Sequence, residues 1–335
     1  MPPPKKQQRR ANKTAAIERA LQDAMLKKLV DDGKLARGND PRFVLEWLST
    51  GIPDLDAVLG GGIPRKRVSI LVGAYSSAKS FIIQMVMKQA LAQGLQVAYI
   101  DTERSYEPTW WAQVGIPLDK VYVAQPSHGE AAADLMVALA RANVDVVAMD
   151  SMAALIPMEE ADLEARADQK QYALQARLVG KLLRMLATVN TNSALIFSNQ
   201  ERELIGGPVP GLTMPGGKAP LHYSSIIMRL RREGWIKEKE RNVGFYLRVV
   251  CNKNKVARPF GECKLPFRFR GEIDLLALLV DRAVEAGIIK QSGPWFSLAV
   301  AGQEQSCQGR NAVIELLRDN AELRGFVEKA IGGKE

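Results

Sequence analysis

The stretch VSILVGAYSSAKS, residues 68–80, decides the fold of this chain. Val68–Val72 is a short apolar run that predicts a buried strand, and a helical pattern begins at Lys79. Between them, Gly73–Ser80 follows the phosphate-loop pattern G-x-x-x-x-G-K-[ST] in the strand, loop and helix order that this motif requires. Backbone N–H groups of such a loop and the positive end of its helix hold phosphates. The stretch therefore predicts a nucleotide site in an α/β protein.

The phosphate loop departs from its pattern at one position, where Ala78 replaces the second glycine. If the loop needs a positive φ there, alanine costs about 1 kcal/mol. Lys79 would contact the β and γ phosphate oxygens, and Ser80 would bind Mg²⁺. A strand-turn-helix corner with a chance lysine is the alternative interpretation, and Ala78 favours it. The predicted phosphate site comprises Gly73, Ser76, Ser77, Ala78, Lys79, Ser80 and Phe81.

Outward from this loop, short apolar runs alternate with helical patterns, which indicates a mostly parallel sheet covered on both faces. Buried strands are predicted at Val68–Val72, Gln96–Ile100, Val144–Met149 and Ser193–Phe197, and helices at Lys79–Gln93, Ala131–Ala142 and Gln169–Asn190. Before this region, the sequence predicts an amphipathic helix at Ala15–Val30 and a strand at Arg42–Leu48. After it, the sequence predicts a hairpin of Ser225–Arg232 and Phe245–Cys251 across a charged turn Glu233–Arg241. From Gly271 it predicts helices with one short strand at Trp295–Ala299.

Polar residues follow three of the predicted strands. Glu103 ends the run Asp101-Thr102-Glu103, Asp150 follows an apolar run as in a Walker B segment, and Gln200 ends Ser198-Asn199-Gln200. The carboxyl ends of parallel strands meet at one edge of the sheet. At this edge a carboxylate such as Glu103 orients or deprotonates the attacking water, an aspartate such as Asp150 holds the metal, and an amide such as that of Gln200 senses the γ-phosphate. Each signal alone is weak, because any strand of an α/β protein can end in a polar residue. Together with the phosphate loop they form an order that seldom arises by chance.

Composition narrows the class of protein. The 335 residues are 47% hydrophobic and 25% charged, as in an ordinary globular protein, and no apolar run has the roughly 18 residues of a membrane span. Three cysteines are too few for a disulfide framework, so a reducing cytoplasm is expected. The net charge of +9 favours an anionic partner such as nucleic acid or a membrane surface, although the basic residues 1–40 are also compatible with a solvated tail.

The order of these motifs resembles the RecA family of homologous-recombination ATPases over roughly residues 45–320. Further blocks that carry the resemblance are Ser49–Asp56, Gln125–Glu130, Asp145–Leu155, Phe197–Gln200, Gly216-Gly217, Lys253–Phe260 and Gly293–Phe296. The resemblance implies an α/β fold with a RecA-like ATPase core of mostly parallel sheet, an N-terminal oligomerisation helix and a small C-terminal α/β domain. The corresponding parts are a basic tail, helix and linker at 1–44, the core at 45–270 and the C-terminal domain at 271–335.

The resemblance also implies roles for residues around the nucleotide. Glu103 matches the family's catalytic glutamate, and Gln200 matches the glutamine that couples the γ-phosphate to a DNA-binding loop. Lys253 and Lys255 match two lysines that reach the ATP of the neighbouring subunit. Glu107 and Trp110 match positions that contact the adenine, although Trp110 is also compatible with a core aromatic residue.

DNA would be held by two loops, at about 159–170 and 201–215. The positions that match the family's DNA contacts are Tyr172, Arg177, Arg184, Arg202, Ile205, Gly216 and Gly217. Arg177 and Arg184 lie seven residues apart, which is two turns along one helix face, and a solvated helix face is the alternative interpretation. The chain also departs from the family at Tyr75, which replaces an acid in the phosphate loop, and at Leu221-His222, which replaces a basic-aromatic pair at the subunit interface. The second departure implies a different route from the ATP state to the DNA.

The resemblance therefore implies a DNA-dependent ATPase and recombinase that uses ATP and Mg²⁺. Its partners would be single-stranded DNA, homologous duplex DNA and further copies of itself in a helical filament. It would not bind a membrane. One alternative is an accessory or scaffold protein that binds ATP and DNA with little turnover. Ala78 favours this alternative, and Glu103 with Lys253 and Lys255 opposes it. A second alternative, a hexameric helicase or clock-type ATPase, is disfavoured by Gly293–Phe296.

Overall fold

A computed structural model describes residues 19–158, 169–203, 212–300 and 303–332. The chain divides into two compact units, and the second begins at Trp47. In the first unit, residues 19–31 are helical, which agrees with the described part of the helix predicted at Ala15–Val30. Leu21 and Met25 of that helix each expose 66% of their surface.

The strand predicted at Arg42–Leu48 is wrong for most of its length. Pro41–Phe43 forms a 3-10 turn, and only Trp47–Leu48 is a strand. The Asp40 carboxylate accepts a hydrogen bond from the Arg42 N–H, and proline at the first position fixes a φ that suits a helical turn. Turn chemistry therefore overrides the apolar pattern of this segment.

The second unit is built on a nine-stranded sheet of order β13-β12-β11-β10-β3-β7-β6-β4-β5. The strands from β10 to β5 in that order are parallel, and β10, β11, β12 and β13 pair antiparallel. The strands of the unit are β1 (Trp47–Leu48), β2 (Ile63–Pro64), β3 (Val68–Gly73), β4 (Val97–Asp101), β5 (Val121–Ala124), β6 (Val146–Asp150), β7 (Ala194–Gln200), β8 (Arg202–Glu203), β9 (Leu212–Thr213), β10 (Ile226–Glu238), β11 (Arg241–Asn254), β12 (Glu262–Arg268), β13 (Glu272–Ile273), β14 (Ile289–Ser292), β15 (Trp295–Val300) and β16 (Gln303–Gln308).

Helices cover both faces of this sheet. The helices of the whole unit are α1 (Pro53–Leu59), α2 (Lys79–Ala92), α3 (Pro108–Val114), α4 (Gly129–Arg141), α5 (Gln169–Val189), α6 (Ala219–Tyr223), α7 (Leu275–Glu285), α8 (Arg310–Asp319) and α9 (Ala321–Gly332), with 3-10 turns at Leu118–Lys120 and Met152–Ala154. Alternation along β3 sends Leu71 into the core beneath α2, and Ile70 and Val72 into the core beneath α4 and α5. Because both faces are covered, all of β3 is buried, and it is apolar except for Ser69. Within the described ranges, every helix lacks the combined length and apolarity needed to cross a membrane.

The hairpin is longer than predicted. β10 continues to Glu238 and β11 starts at Arg241, so Glu233–Arg241 is mostly strand rather than turn. Beyond its pairing with β3, which ends at Leu230, β10 pairs only with β11, and charged side chains at the hairpin's end reach water. Trp235 lies opposite Phe245, with ring centroids 6.4 Å apart, and stabilises this exposed end.

The C-terminal part contains three strands where one was predicted. β14, β15 and β16 form an antiparallel sheet that packs with α7, α8 and α9 around Phe296, Leu298 and Val327. The central strand β15 carries the apolar signal that sequence analysis detected. β14 has exposed polar residues after Ile289, and β16 is polar in sequence, so neither shows the alternation that predicts a strand.

Candidate active site

Four neighbouring parallel strands bring the predicted nucleotide residues to one edge of the sheet. β3, β7, β6 and β4 are adjacent, and their ends pair in register, Gly73 with Gln200 and Asp101 with Asp150. A cavity of about 350 Å³ lies at this edge. Its lining is Tyr75, Ser76, Ser77, Ala78, Lys79, Ser80, Phe81, Glu103, Trp110, Asp150, Gln200, Phe245 and Phe267. The structure therefore brings together the phosphate loop and the polar residues at the strand ends.

The phosphate loop holds the left-handed conformation at two non-glycine residues. Ser76 has φ 54° and Ala78 has φ 58°, and the Ser77 hydroxyl donates to the Ala74 carbonyl at 2.8 Å. Ala78 therefore has the positive φ considered in the sequence analysis. This conformation costs about 1 kcal/mol for alanine. Ala78 is also the N-cap of α2 and gives no side-chain hydrogen bond, so the first N–H groups of α2 lack a side-chain cap from it.

The Lys79 ammonium lies inside this loop. Its Nζ donates to the carbonyl oxygens of Gly73, at 3.1 Å, and Ala74, at 2.7 Å. Burial lowers the pKa of Lys79, and the negative charges of Asp150, Glu103 and Glu201 oppose that shift. The cavity therefore holds a cation that faces carboxylates on the neighbouring strands.

Asp150 is buried and fixed from two sides. The Tyr99 hydroxyl donates to Oδ2 at 2.8 Å, and the Ser198 hydroxyl donates to Oδ1. Burial, with the adjacent Asp150 charge, raises the pKa of Tyr99 far above its ordinary value, so this phenol stays a donor. Asp150 and Ser80 supply a carboxylate and a hydroxyl to one cavity, and these are ligands that suit Mg²⁺, which otherwise takes phosphate and water oxygens. The residues present therefore fit a magnesium–triphosphate complex.

Asp101, the last residue of β4, and Glu103, two residues later, have different environments. Asp101 is buried and accepts from the N–H groups of Ser105 and Tyr106 at 3.1 and 2.9 Å, and from Gln125 Nε2 at 2.8 Å. Glu103 is exposed in the cavity and accepts from the Ser151 hydroxyl. Asp101 thus shapes the loop, and Glu103 faces the nucleotide space. Sequence reasoning did not detect the Asp101–Gln125 bond, because no local pattern links the last residue of β4 to the residue that follows β5.

Of the two residues predicted to contact the adenine, one lines the cavity and the other does not. Trp110 lines the cavity and donates from Nε1 to Gln84 Oε1 at 3.2 Å. Glu107 is not in the cavity lining; it is the N-cap of α3 and accepts from the Thr109 N–H at 3.1 Å. Phe245 and Phe267, which sequence analysis missed, line the cavity instead, with ring centroids 5.0 Å apart. They come from β11 and β12, which are distant from the phosphate loop in sequence.

Lys253 and Lys255 lie outside this cavity. Lys253 Nζ donates to the carbonyl of Leu221 and, at 2.8 Å, to that of Ser224. Lys255 Nζ donates to the His222 carbonyl at 2.7 Å. Burial and the charge of Lys255 lower the pKa of Lys253 to about 8. Both lysines therefore contact the C-terminal end of α6 rather than their own chain's phosphate loop.

The predicted DNA residues are only partly described. Arg177 and Arg184 are exposed on α5, as two turns of spacing predict. Tyr172 belongs to α5 and Arg202 to β8, but their side chains lie outside the described part of the chain, as do Ile205 and most of both predicted loops. Gly216, with φ 99°, packs closely on α5, since a Cβ there would lie 2.9 Å from Val179 Cγ1. Close packing is a reason for this glycine that sequence analysis did not consider; Gly217 is exposed.

Sequence analysis also missed an ion pair next to Gln200. Glu201 follows Gln200 directly, and its carboxylate pairs with Nη2 of Arg229 on β10. The two residues are 28 apart in sequence, and no motif joins them.

Comparison with known proteins gives a consistent result. The model of the RecA N-terminal domain matches residues 15–274, and that of the RecA C-terminal domain matches residues 277–334. Protein RecA of Thermus aquaticus is 36% identical over 319 residues, covering 93% of this chain and 92% of the relative. Protein RecA of Caulobacter vibrioides (strain NA1000 / CB15N) is 36% identical over 322 residues, covering 95% and 87%. Protein RecA of Chlorobaculum parvum is 37% identical over 313 residues, covering 91% and 89%. With its α/β core and the phosphate loop at its sheet edge, the chain belongs to the RecA family.

Proposed function

We propose that this protein is a DNA-dependent ATPase and recombinase that forms an ATP-dependent filament on single-stranded DNA and promotes homologous pairing and strand exchange. The observation that carries the proposal is the single cavity lined by Lys79, Ser80, Glu103, Asp150 and Gln200. These side chains supply a cation, two oxygen ligands, a base and an amide, which phosphoryl transfer to water needs in one place.

Each residue of this cavity has a distinct role in the proposed reaction. Lys79 and the N–H groups at the start of α2 bind the β and γ phosphates. Ser80 and Asp150 hold Mg²⁺, which when bound neutralises charge on the phosphates. Glu103, kept in place by Ser151, takes the proton of the attacking water. Gln200 and Trp110 both line the cavity, where Gln200 would sense the γ-phosphate and Trp110 would offer an aromatic face to the adenine.

Lys253 and Lys255 complete the site of a neighbouring subunit in this proposal. Support comes from their position: neither lines the cavity that holds Lys79 of the same chain, and both sit beside α6. Cations in trans would stabilise negative charge at the γ-phosphate, so turnover would depend on assembly. The exposed apolar residues Leu21 and Met25 of the N-terminal helix support a contact with another copy.

The DNA contacts remain part of the proposal. Arg177 and Arg184 on α5 would bind the phosphate backbone, together with Tyr172, Arg202, Ile205 and the amides at Gly216 and Gly217. We also propose a cytoplasmic location and the division into 1–44, 45–270 and 271–335. The partners are single-stranded DNA, homologous duplex DNA and further copies of this chain.

ATP turnover with and without single-stranded DNA tests the proposed function. We expect DNA to accelerate turnover, and Lys79→Ala to remove both turnover and most nucleotide affinity, because no other side chain of the loop supplies a cation. Strand exchange between a single strand and a homologous duplex then tests the recombinase. DNA and ATP binding with negligible turnover would instead identify an accessory protein, the function that the strained Ala78 favours.

A further inference from the structure

The last two residues of β7, Asn199 and Gln200, and the next residue, Glu201, contact three different parts of the molecule. Gln200 pairs in register with Gly73 and lines the nucleotide cavity. Asn199 pairs with Val72, which packs into the core on the opposite face, beneath α5. Because side chains alternate along an extended chain, Glu201 shares the face of Asn199 and not that of Gln200. Gln200 is thus flanked by two residues that point away from the nucleotide.

Both flanking residues are tied to fixed structure. Asn199 is buried, and its Nδ2 donates to the Pro215 carbonyl at 2.9 Å. The Glu201 N–H donates to the Gly73 carbonyl at 3.2 Å, and its carboxylate pairs with Arg229. The bonds of Asn199 and Glu201 therefore hold the two ends of the segment 201–215, which we propose binds DNA.

The Glu201–Arg229 pair is largely removed from water. The Glu201 side chain is 12% exposed and the Arg229 side chain 21% exposed. Arg229 pairs in register with Val72, so the ion pair crosses β3, the strand that leads into the phosphate loop. Among the described residues, neither Nε nor Nη2 of Arg229 has a hydrogen-bond partner, so the guanidinium depends on its ion pair with the Glu201 carboxylate. Loss of either charge would leave the other desolvated and unpaired.

We propose that Glu201 and Arg229 are positioning residues that couple nucleotide to DNA: the pair fixes the backbone after Gln200, so that movement of the Gln200 amide toward the γ-phosphate displaces the ends of the segment 201–215. The inference rests on the proposed function and deepens it. If Asn199 and Glu201 had no such contacts, the Gln200 side chain could move without displacing the rest of the segment. When Glu201 is held to β10 and Asn199 to Pro215, a change at Gln200 is transmitted to both ends of that segment.

Coupling of this kind is measured as a ratio of affinities. If a non-hydrolysable ATP analogue tightens the binding of single-stranded DNA by some factor, DNA must tighten the binding of the analogue by the same factor. Substitutions in a coupling element typically change such a factor by about 2- to 30-fold. A purely structural role of the pair would instead change stability and leave the ratio intact.

The experiment uses fluorescence anisotropy of a labelled oligo-dT, with and without the analogue, on the full chain. We expect Glu201→Gln and Arg229→Gln each to lower the affinity ratio by about 2- to 30-fold. Analogue affinity measured without DNA should stay within about threefold of wild type, since neither residue lines the nucleotide cavity. The reversed pair, Glu201→Arg with Arg229→Glu, should regain most of the ratio. Glu262→Gln, which breaks an exposed pair with Arg248 on the same sheet, is the matched control and should leave the ratio unchanged.

Other outcomes overturn the inference. A wild-type ratio retained in both single variants, or a reversed pair no better than the single variants, would exclude a role for the paired charges. If the glutamine variants do not fold, Arg229→Lys, which keeps the charge, decides instead: it should retain most of the ratio, and its loss with normal thermal stability would contradict the proposal. A wild-type ratio near 1 would overturn the proposed function together with this inference, whereas a failure confined to the variants overturns this inference alone.

Discussion

Ala78 holds a backbone conformation that glycine adopts at lower cost. The Ala78→Gly substitution should therefore preserve nucleotide affinity or improve it, by up to about fivefold for a relief of about 1 kcal/mol. Titration with a fluorescent ATP analogue measures the affinity. A large loss would show that the loop depends on the Ala78 methyl group, which packs beside the α2 core.

Glu103→Gln should separate binding from chemistry. Glutamine keeps the size of the side chain and still accepts the Ser151 hydrogen bond, but it cannot take a proton from water. We expect nucleotide binding and assembly to persist while turnover falls about 10²-fold or more, as measured by phosphate release. Asp119→Asn, on a turn outside the cavity, is a matched control. Normal hydrolysis by Glu103→Gln would exclude this residue from the mechanism.

At the residue scale, sequence reasoning succeeded where function depends on a local pattern. Lys79 and Ser80 belong to one motif, and Glu103, Asp150 and Gln200 follow strands whose ends must meet at one edge. It failed for contacts between distant segments. The Glu201–Arg229 pair and the aromatic lining from β11 and β12 depend on sheet order, which no short motif encodes.

At the element scale, Lys253 and Lys255 link the end of β11 to α6 by donating hydrogen bonds to its carbonyl oxygens. Burial and the charge of Lys255 bring the pKa of Lys253 to about 8 from an ordinary 10.5. The folded protein therefore releases this proton at lower pH than the unfolded chain does. Folding stability accordingly rises with pH between those two values, while the charge available to a neighbour's phosphate is lost above about 8.

Nucleotide-dependent assembly should thus weaken as pH rises through about 8. Lys253→Arg should remove this dependence, since arginine stays charged throughout the range. Light scattering with an ATP analogue between pH 7 and about 9.5 measures it, with Lys264→Arg on β12 as the control. An identical pH profile for Lys253→Arg would mean that this lysine does not act on the phosphate.

Element boundaries were predictable for the buried elements and not for the exposed ones. Strands β3, β6 and β7 are mainly apolar, apart from the polar ends of β6 and β7, because both faces of the sheet are covered. The outer half of the hairpin and the strands β14 and β16 have exposed, polar residues, so composition gives no strand signal there. Pairing with a neighbouring strand, rather than burial, forms these segments.

At the scale of the assembly, a shared site makes a prediction for mixtures of variants. Lys255→Ala should abolish turnover and leave the protomer's own cavity intact, because Lys255 does not line it. Mixing Lys255→Ala with Glu103→Gln should restore part of the activity, since some interfaces then join an intact Glu103 cavity to an intact Lys255. ATP turnover of the mixture, compared with each variant alone, measures this. No recovery in filaments shown to be mixed would place the lysines outside the reaction or within their own subunit's site.

The strand order of the whole sheet also fixes a sequence of events during synthesis. β7 begins at Ala194, about 120 residues after β3 ends at Gly73, and a ribosome adds about 5–20 residues per second. On that scale β3 leaves the ribosome on the order of ten seconds before its first hydrogen-bonding neighbour, and β10, its other neighbour, comes later still. Its apolar residues need protection during that interval, and the loop that follows it has no fixed sheet edge to extend from. The phosphate loop is thus synthesised early, but it reaches its final conformation only after β7 and β10 have paired with β3.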